Sequence, residues 1–273
     1  MSTPANYANE LCAAHAFSMQ APVFDKLYAG NTIVKYKRQR VRAHLEQLLS
    51  PGSHILELNA GTGDDAIYLA QQGHYVHATD IAAGMQEQLV QKVKQYDVNA
   101  FVSNELCSYT ALSTLKNRGP YDCIFSNFAG LNCTGDLDSV LSSFYKLLRP
   151  GGIVVLVMLP KFCVWEALLV FKGKFKTATR RFFSAGGRSA KIDGAAFTCW
   201  YYSPRYIKRQ VKQQYNLLAL EGLCTFVPPS YIEHFAERYP VLFAFLCKLE
   251  NRYKKSWPWK NIGDYYIISF QRK

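Results

Sequence analysis

From residue 32 onward, apolar side chains fall at helical spacing. Val34, Val41, Leu45, Leu48 and Leu49 share one face until Ser50-Pro51-Gly52 stops the helix. The period then switches repeatedly. Continuous apolar runs at 55–59, 75–80, 121–127 and 153–159 predict strands, and a shorter run at 100–103 predicts another. Segments 65–72, 85–96 and 137–148 keep helical spacing, and Gly73 and Arg149-Pro150-Gly151-Gly152 end two of these helices. Strands that alternate with helices predict an α/β, doubly wound, mostly parallel sheet. Continuous apolar strands fit a sheet covered on both faces. After Pro160 the rhythm changes. Residues 162–171 read as an amphipathic helix, 197–202 as an aromatic strand, and Ser203-Pro204 as the cap and first turn of another helix. Segments 217–223 and 264–271 read as strands around a mostly helical 231–253. Residues 1–30 show no clean period and read as a loosely helical lead-in.

The 273 residues are 49% hydrophobic, with a mean hydropathy of −0.10, the balance of a soluble globular chain. The longest apolar runs, such as 153–159 and 241–246, fall far short of a membrane span. No basic segment followed by an apolar core opens the chain, so the expected location is cytoplasmic. Eight cysteines form no Cys-x-x-Cys pair, and several lie inside apolar runs. That pattern predicts reduced core thiols and no metal site. The formal charge of +12 is unevenly placed, because between Lys161 and Lys212 twelve bases face only Glu166 and Asp193, a net +10. Such a stretch is either a solvated face or an attractor for an anionic surface or substrate.

The candidate chemistry concentrates where the first strand breaks into Gly61-Thr62-Gly63-Asp64-Asp65-Ala66, which fits G-x-G-x-x-A. A strand followed by such a turn and a helix start brings backbone N–H groups against a nucleotide-like ligand. Glu57, Asp64 and Asp65 crowd this turn. Three carboxylates repel a pyrophosphate and suit a ligand with a positively charged end. Asp80, 17 residues after Gly63, is placed to accept hydrogen bonds from ribose hydroxyls or to cap its own helix. The fourth strand delivers Ser126-Asn127-Phe128 to the carboxyl edge, where ligands of open sheets bind.

With these residues the chain resembles the class I S-adenosylmethionine-dependent methyltransferases, and among them small-molecule methyltransferases. Leu56-Glu57-Leu58-Asn59-Ala60-Gly61-Thr62-Gly63 looks like their first motif, Val76-His77-Ala78-Thr79-Asp80-Ile81 like the second, and Tyr121-Asp122-Cys123-Ile124-Phe125-Ser126-Asn127 like the fourth. Leu148-Arg149-Pro150-Gly151-Gly152 matches the turn before the fifth strand. The resemblance covers roughly residues 40–160. It implies a seven-stranded Rossmann-like sheet with an antiparallel last strand, a substrate-covering insertion after strand 5, and S-adenosyl-L-methionine as cofactor, whose sulfonium and ammonium suit the acidic turn. By the same resemblance Glu57 and the backbone around Asn59, Ala60, Gly61 and Gly63 receive the methionine end. Asp80 binds the ribose, Ile81 and Met85 lie against the adenine, Glu105 and Leu106 approach its edge, and Asn127 and Phe128 lie near the transferred methyl. Tyr28 and Tyr36 are candidates to close over the cofactor, with plain packing the alternative. Asn59 stands where the family most often has glycine.

Asn127-Phe128-Ala129-Gly130 lacks the Asp/Asn-Pro-Pro-aromatic motif of exocyclic-amine methylases, which argues against that chemistry. Methyl transfer is a single displacement in which the protein aligns nucleophile and methyl at about 3–3.5 Å and excludes water. A general base is needed only for a protonated nucleophile. His234 and Tyr202 are the candidates for that role, with His15 a further histidine candidate outside the sheet motifs, although a lone histidine is more often a packing or surface residue. The insertion offers Phe162, Trp165, Phe171, Phe175, Phe182, Phe183, Trp200, Tyr201 and Tyr202. Aromatics with hydroxyls suit an apolar, aromatic or lipid-like acceptor. Interleaved with bases they also suit RNA or peripheral membrane contact. The leading expectation is O- or C-methylation of a small apolar metabolite, with an RNA methyltransferase and a non-catalytic cofactor-binding protein as alternatives. The expected organisation is a lid at 1–33, a cofactor-binding core at 34–160 and 213–273, and a basic aromatic cap at 161–212.

Overall fold

The computed structural model describes residues 4–182, 184, 186–232 and 234–273. Phe183 of the aromatic segment lies outside them. The chain begins with a 26-residue helix, α1 (Pro4–Ala29), then α2 (Thr32–Glu46), whose first turn is capped by the Asn31 side chain accepting from the Ile33 and Val34 N–H groups. The alternating region follows as β1 (His54–Leu58), α3 (Asp64–Gln71), β2 (Tyr75–Asp80), α4 (Ala83–Gln95), β3 (Val102–Leu106), β4 (Tyr121–Ser126), α5 (Leu137–Leu147) and β5 (Leu148–Met158). Next come short helices α6 (Val164–Ala167) and α7 (Phe175–Thr179) and the hairpin strands β6 (Arg188–Ile192) and β7 (Ala195–Cys199). The chain closes with α8 (Pro204–Val211), β8 (Tyr215–Leu223), α9 (Phe235–Arg238), α10 (Pro240–Tyr253) and β9 (Tyr265–Arg272).

The main sheet has seven strands in the order β3-β2-β1-β4-β5-β9-β8. β1 to β5 run parallel, and β9 lies antiparallel between β5 and β8. This is the expected Rossmann-like methyltransferase architecture. Adjacent residues of one strand feed opposite cores. Leu56, Ile124, Val154 and Leu156 pack with α5 and α8, while Ile55, Phe125, Val155 and Val157 pack with α2, α3 and α4.

Three elements differ from the sequence pattern. β3 is shifted along the chain from the apolar run at 100–103, because the Phe101 N–H turns back to the Val98 carbonyl and the more polar edge strand starts afterwards. Segment 231–253 is broken at Tyr239-Pro240 into two helices, as a proline without an N–H requires. The lead-in is one long helix. It turns Ala13, Ala14, Ala16 and Ala21 inward and leaves Tyr7, Leu11, Met19, Val23 and Leu27 exposed, the reverse of the usual amphipathic arrangement. α1 lies against α4 and β7. Among the described residues no helix is long and apolar enough to cross a membrane.

Candidate functional site

The strand order reverses between β1 and β4, and their carboxyl ends splay apart there. A cleft of about 150 Å³ opens at this edge and runs from Asn59, Asn127 and Phe128 past Asp80 to Tyr109. The Ala13, Ala14, Phe17 and Phe24 side chains of α1 form its cover. Two turns bound it. After β1, Asn59 takes a positive φ of 48° and Gly63 one of 82°. After β4, Phe128 and Ala129 take φ values of 45° and 64°. Asn59 ties the two turns together: it accepts from Ser126 Oγ at 2.6 Å and donates to the Asn127 carbonyl at 3.0 Å. Its amide fills the space where a Cβ on residue 130 would stand, 2.1 Å from Asn59 Cγ, so only glycine fits there.

The acidic turn is less negative than its sequence indicates. Asp65 accepts from Arg42 Nε at 2.8 Å and from Asn127 Nδ2 at 2.7 Å, and pairs with Arg38 at 3.1 Å. Burial works to raise its pKa, but Arg38, Arg42 and the Asn127 bond outweigh burial and hold it below the ordinary value. Asp64 pairs with Lys92 and Arg38. Glu57 differs from both. It is 2% exposed, lines the cleft, and its buried Oε2 has no hydrogen-bond partner among the described residues. Burial, reinforced by Asp65, pushes its carboxyl well above the ordinary value, against the pull of Arg38 and Arg42.

Asp80 is held by the Gly61 N–H to Oδ2 and the Ala82 N–H to Oδ1, both at 2.8 Å. Burial raises its pKa, against these backbone bonds. It therefore both fixes the glycine turn and faces the cleft, where each carboxylate oxygen keeps a further lone pair. Ile81 and Met85 supply an apolar wall beside it.

Of the residues expected from sequence, Glu57, Asn59, Ala60, Gly61, Asp80, Ile81, Met85, Asn127 and Phe128 line this one cleft. Gly63 stands at its edge as the N-cap of α3, packed on Leu89. The others lie elsewhere. Tyr28 lines a neighbouring groove of about 520 Å³ that shares Phe24, Arg38 and Asp64 with the cleft. The Tyr36 ring packs on Phe243 and its hydroxyl accepts from Arg40 at 3.1 Å, because that face of α2 turns toward α10. Glu105 is drawn to His77 and to the Lys116 N–H, and Leu106, at the end of an edge strand, is exposed. His234 sits with Lys26, Gly30 and Phe235 in a separate pocket. Tyr202 is a core residue whose hydroxyl donates to the Thr134 carbonyl at 2.6 Å. Neither candidate base lines the cleft. The reading from sequence missed Glu10, Arg38, Phe17, Phe24, Tyr109, Gly130 and Cys133. Glu10 has one trace in the sequence: it is the sole acid before Asp25.

Cys163, Glu166 and Asp264 form a second buried cluster close enough to hold a metal ion. The Arg181 guanidinium already fills the cation's place, 2.6 Å from Glu166 and 2.7 Å from Asp264. Arg180 donates to the same Glu166.

The family described as a methyltransferase domain matches residues 55–152, which include both turns of the cleft. An uncharacterized methyltransferase of Synechocystis is 29% identical over 159 residues, 56% of this chain and 71% of that protein. A demethylmenaquinone methyltransferase of Bacteroides fragilis is 35% identical over 107 residues, 38% of this chain and less than half (42%) of that one. Among solved structures, magnesium protoporphyrin IX methyltransferase of Synechocystis, with bound S-adenosylmethionine, superposes with a TM-score of 0.60 at 12% identity, over 97% of each chain. The Glu57 oxygen and the doubly anchored Asp80 are hydrogen-bond acceptors of the kind that suit an ammonium and ribose hydroxyls. Residues 55–152 thus form a methyltransferase domain, in the fold of the class I S-adenosylmethionine-dependent enzymes.

Proposed function

We propose that the cleft beneath α1 holds S-adenosylmethionine and directs its methyl group by direct displacement to a small apolar acceptor. The observation that carries this reading is the buried, partnerless Glu57 Oε2 beside the Asn59–Gly61 turn. An unpaired buried carboxyl oxygen is costly, and an ammonium group is the partner that relieves it. When bound, the cofactor supplies an electrophilic methyl on a sulfonium centre. Asp80 takes the ribose hydroxyls, Ile81 and Met85 the flat face of the adenine, and Asn127 and Phe128 border the place of transfer.

The acceptor side of this reading rests on the lining. Phe17, Phe24 and Phe128 face the cleft with Cys133 and the small Ala13 and Ala14. Among the described lining residues there is no histidine, which favours a nucleophile that is already ionised near neutral pH or an electron-rich carbon. The protein's part is then to align the two reactants and keep water out. The relative named for demethylmenaquinone supports an apolar, ring-bearing acceptor. The exposed Leu11, Met19, Val23 and Leu27 stripe on the outer face of α1 suits an acceptor carried in lipid. The basic insertion favours RNA less than its charge indicates, since Arg180 and Arg181 turn inward to Glu166 and Asp264. In this reading α1 and segment 161–212 form the cap, tied by Asn9, which donates to the Cys133 and Thr198 carbonyls.

The test is transfer of labelled methyl groups into phenolic and quinol acceptors offered in detergent micelles, with total RNA in parallel. Label in the small acceptors and none in RNA is expected. Label in RNA alone overturns the acceptor reading.

A further inference from the structure

A second carboxyl oxygen buried in the cleft lacks a hydrogen-bond partner among the described residues. Glu10, on α1, is 0% exposed. Its Oε2 accepts from Ser108 Oγ at 2.5 Å and from Thr110 Oγ1 at 2.8 Å, the Thr134 hydroxyl lies near the carboxyl, and Oε1 is the oxygen left without a partner. Glu10 lines the cleft together with Tyr109, Ile81, Met85 and Asp80. Ser108 and Thr110 follow β3, the edge strand, so Glu10 is anchored at the end of the cleft away from the β1/β4 crevice. Glu57 stands on β1, Asp80 at the end of β2, and Glu10 over the loop after β3. With strands about 4.8 Å apart, the β1 and β3 ends are separated by roughly 10 Å.

Two open acceptors at opposite ends of one cleft, with a carboxylate between them, match a ligand that carries amine donors at both ends of a ribose. Resting on the cofactor reading above, we infer that Glu10 receives the 6-amino group of the cofactor's adenine, so that adenine recognition and seating of α1 are one event. The residues expected at the adenine edge from sequence do not reach this place: Glu105 is turned to His77 and the Lys116 N–H, and Leu106 faces solvent. Glu10 also differs from an ordinary adenine contact in its origin. It comes from the covering helix, which is otherwise held over the core by polar ties: Ser18 to the Gly84 N–H, and Asp25 to Thr62 and Lys92. A base bound against Glu10 adds a tie that exists only in the complex.

The test compares S-adenosylhomocysteine with S-inosylhomocysteine, in which a carbonyl oxygen replaces the 6-amino group and faces the carboxyl as a second acceptor. Wild-type protein is expected to prefer the adenosyl compound by about tenfold or more, the scale of one hydrogen bond to a charged group. Glu10→Ala is expected to bind the two alike, and Glu10→Gln, which keeps an acceptor oxygen, to retain part of the preference. Hydrogen exchange on wild-type protein gives a second readout, with α1 amides gaining protection from the adenosyl compound and less from the inosyl one. Equal wild-type affinity for the two compounds, or a preference undiminished in Glu10→Ala, overturns the inference while leaving the cofactor reading intact. Failure of wild-type protein to bind either compound overturns both.

Discussion

Two buried carboxylate clusters in this chain are built from the same residue types and come out opposite. At Glu166 and Asp264, Arg181 donates to both acids and to the Asp264 carbonyl, and Arg180 completes Glu166. Burial works to raise the Glu166 pKa, but the two arginines prevail and hold it below the ordinary value. At the cleft, Arg38, Arg42 and Asn127 complete Asp65 in the same way but leave Glu57 Oε2 open. The first cluster is a closed network that fastens the insertion to the loop before β9. The second pairs Asp65 fully and turns the Glu57 carboxyl to the cleft. The contrast teaches that charge and burial do not mark a functional site by themselves; what separates these two clusters is an unpaired carboxyl oxygen that faces the cleft.

The largest expected effect breaks the closed network. Arg181→Ala strands the buried Asp264 and leaves Glu166 to Arg180 alone; it is expected to cost about 3–5 kcal/mol of stability in denaturant unfolding, with cofactor affinity preserved wherever the protein stays folded. Glu57→Gln acts the other way round. It is expected to weaken binding of S-adenosylhomocysteine by about 1.5–3 kcal/mol while unfolding stability stays level or rises, because a buried carboxyl without a partner is removed. Gly130→Ala drives a methyl into the Asn59 amide and is expected to cost about 1 kcal/mol of cofactor affinity, the low end of overpacking. Adding Asn59→Gly is expected to restore most of it, read as a double-mutant cycle by calorimetry. The smallest effect is the null. Changing Lys172, Lys174 and Lys176 together to Gln is expected to leave cofactor affinity unchanged, since none of them lines the cleft.

The sheet and its two bounding turns were legible because the central strands are continuous apolar runs, the turn after β1 carries glycines at fixed spacing from Glu57 and Asp80, and β4 runs out into Ser126-Asn127-Phe128. The cover was not. α1 conceals itself by packing alanines inward and presenting large apolar side chains to solvent, so no face stands out in the pattern. Glu10 lies 98 residues from Ser108 in the chain, and a contact of that separation leaves no periodic trace. How far the acidic turn is neutralised was hidden for a similar reason. Arg38 and Arg42 sit four residues apart on α2, an ordinary spacing on a polar helix, and only the packing of α2 against α3 brings them to Asp64 and Asp65. His234 and Tyr202 show the reverse error, since chemical type alone suggested a base where the fold made a separate pocket and a core hydrogen bond.

Whether Glu57 takes the ligand's ammonium is read by calorimetry of S-adenosylhomocysteine binding between pH 5 and 8, in buffers of different ionisation enthalpy. In the free protein burial raises the Glu57 pKa. A bound ammonium lowers it again, so between the two values binding releases a proton and affinity climbs as pH rises. The account predicts proton release and rising affinity in wild-type protein, and loss of both in Glu57→Gln. Proton-silent, pH-independent binding of equal strength in the two proteins would contradict it.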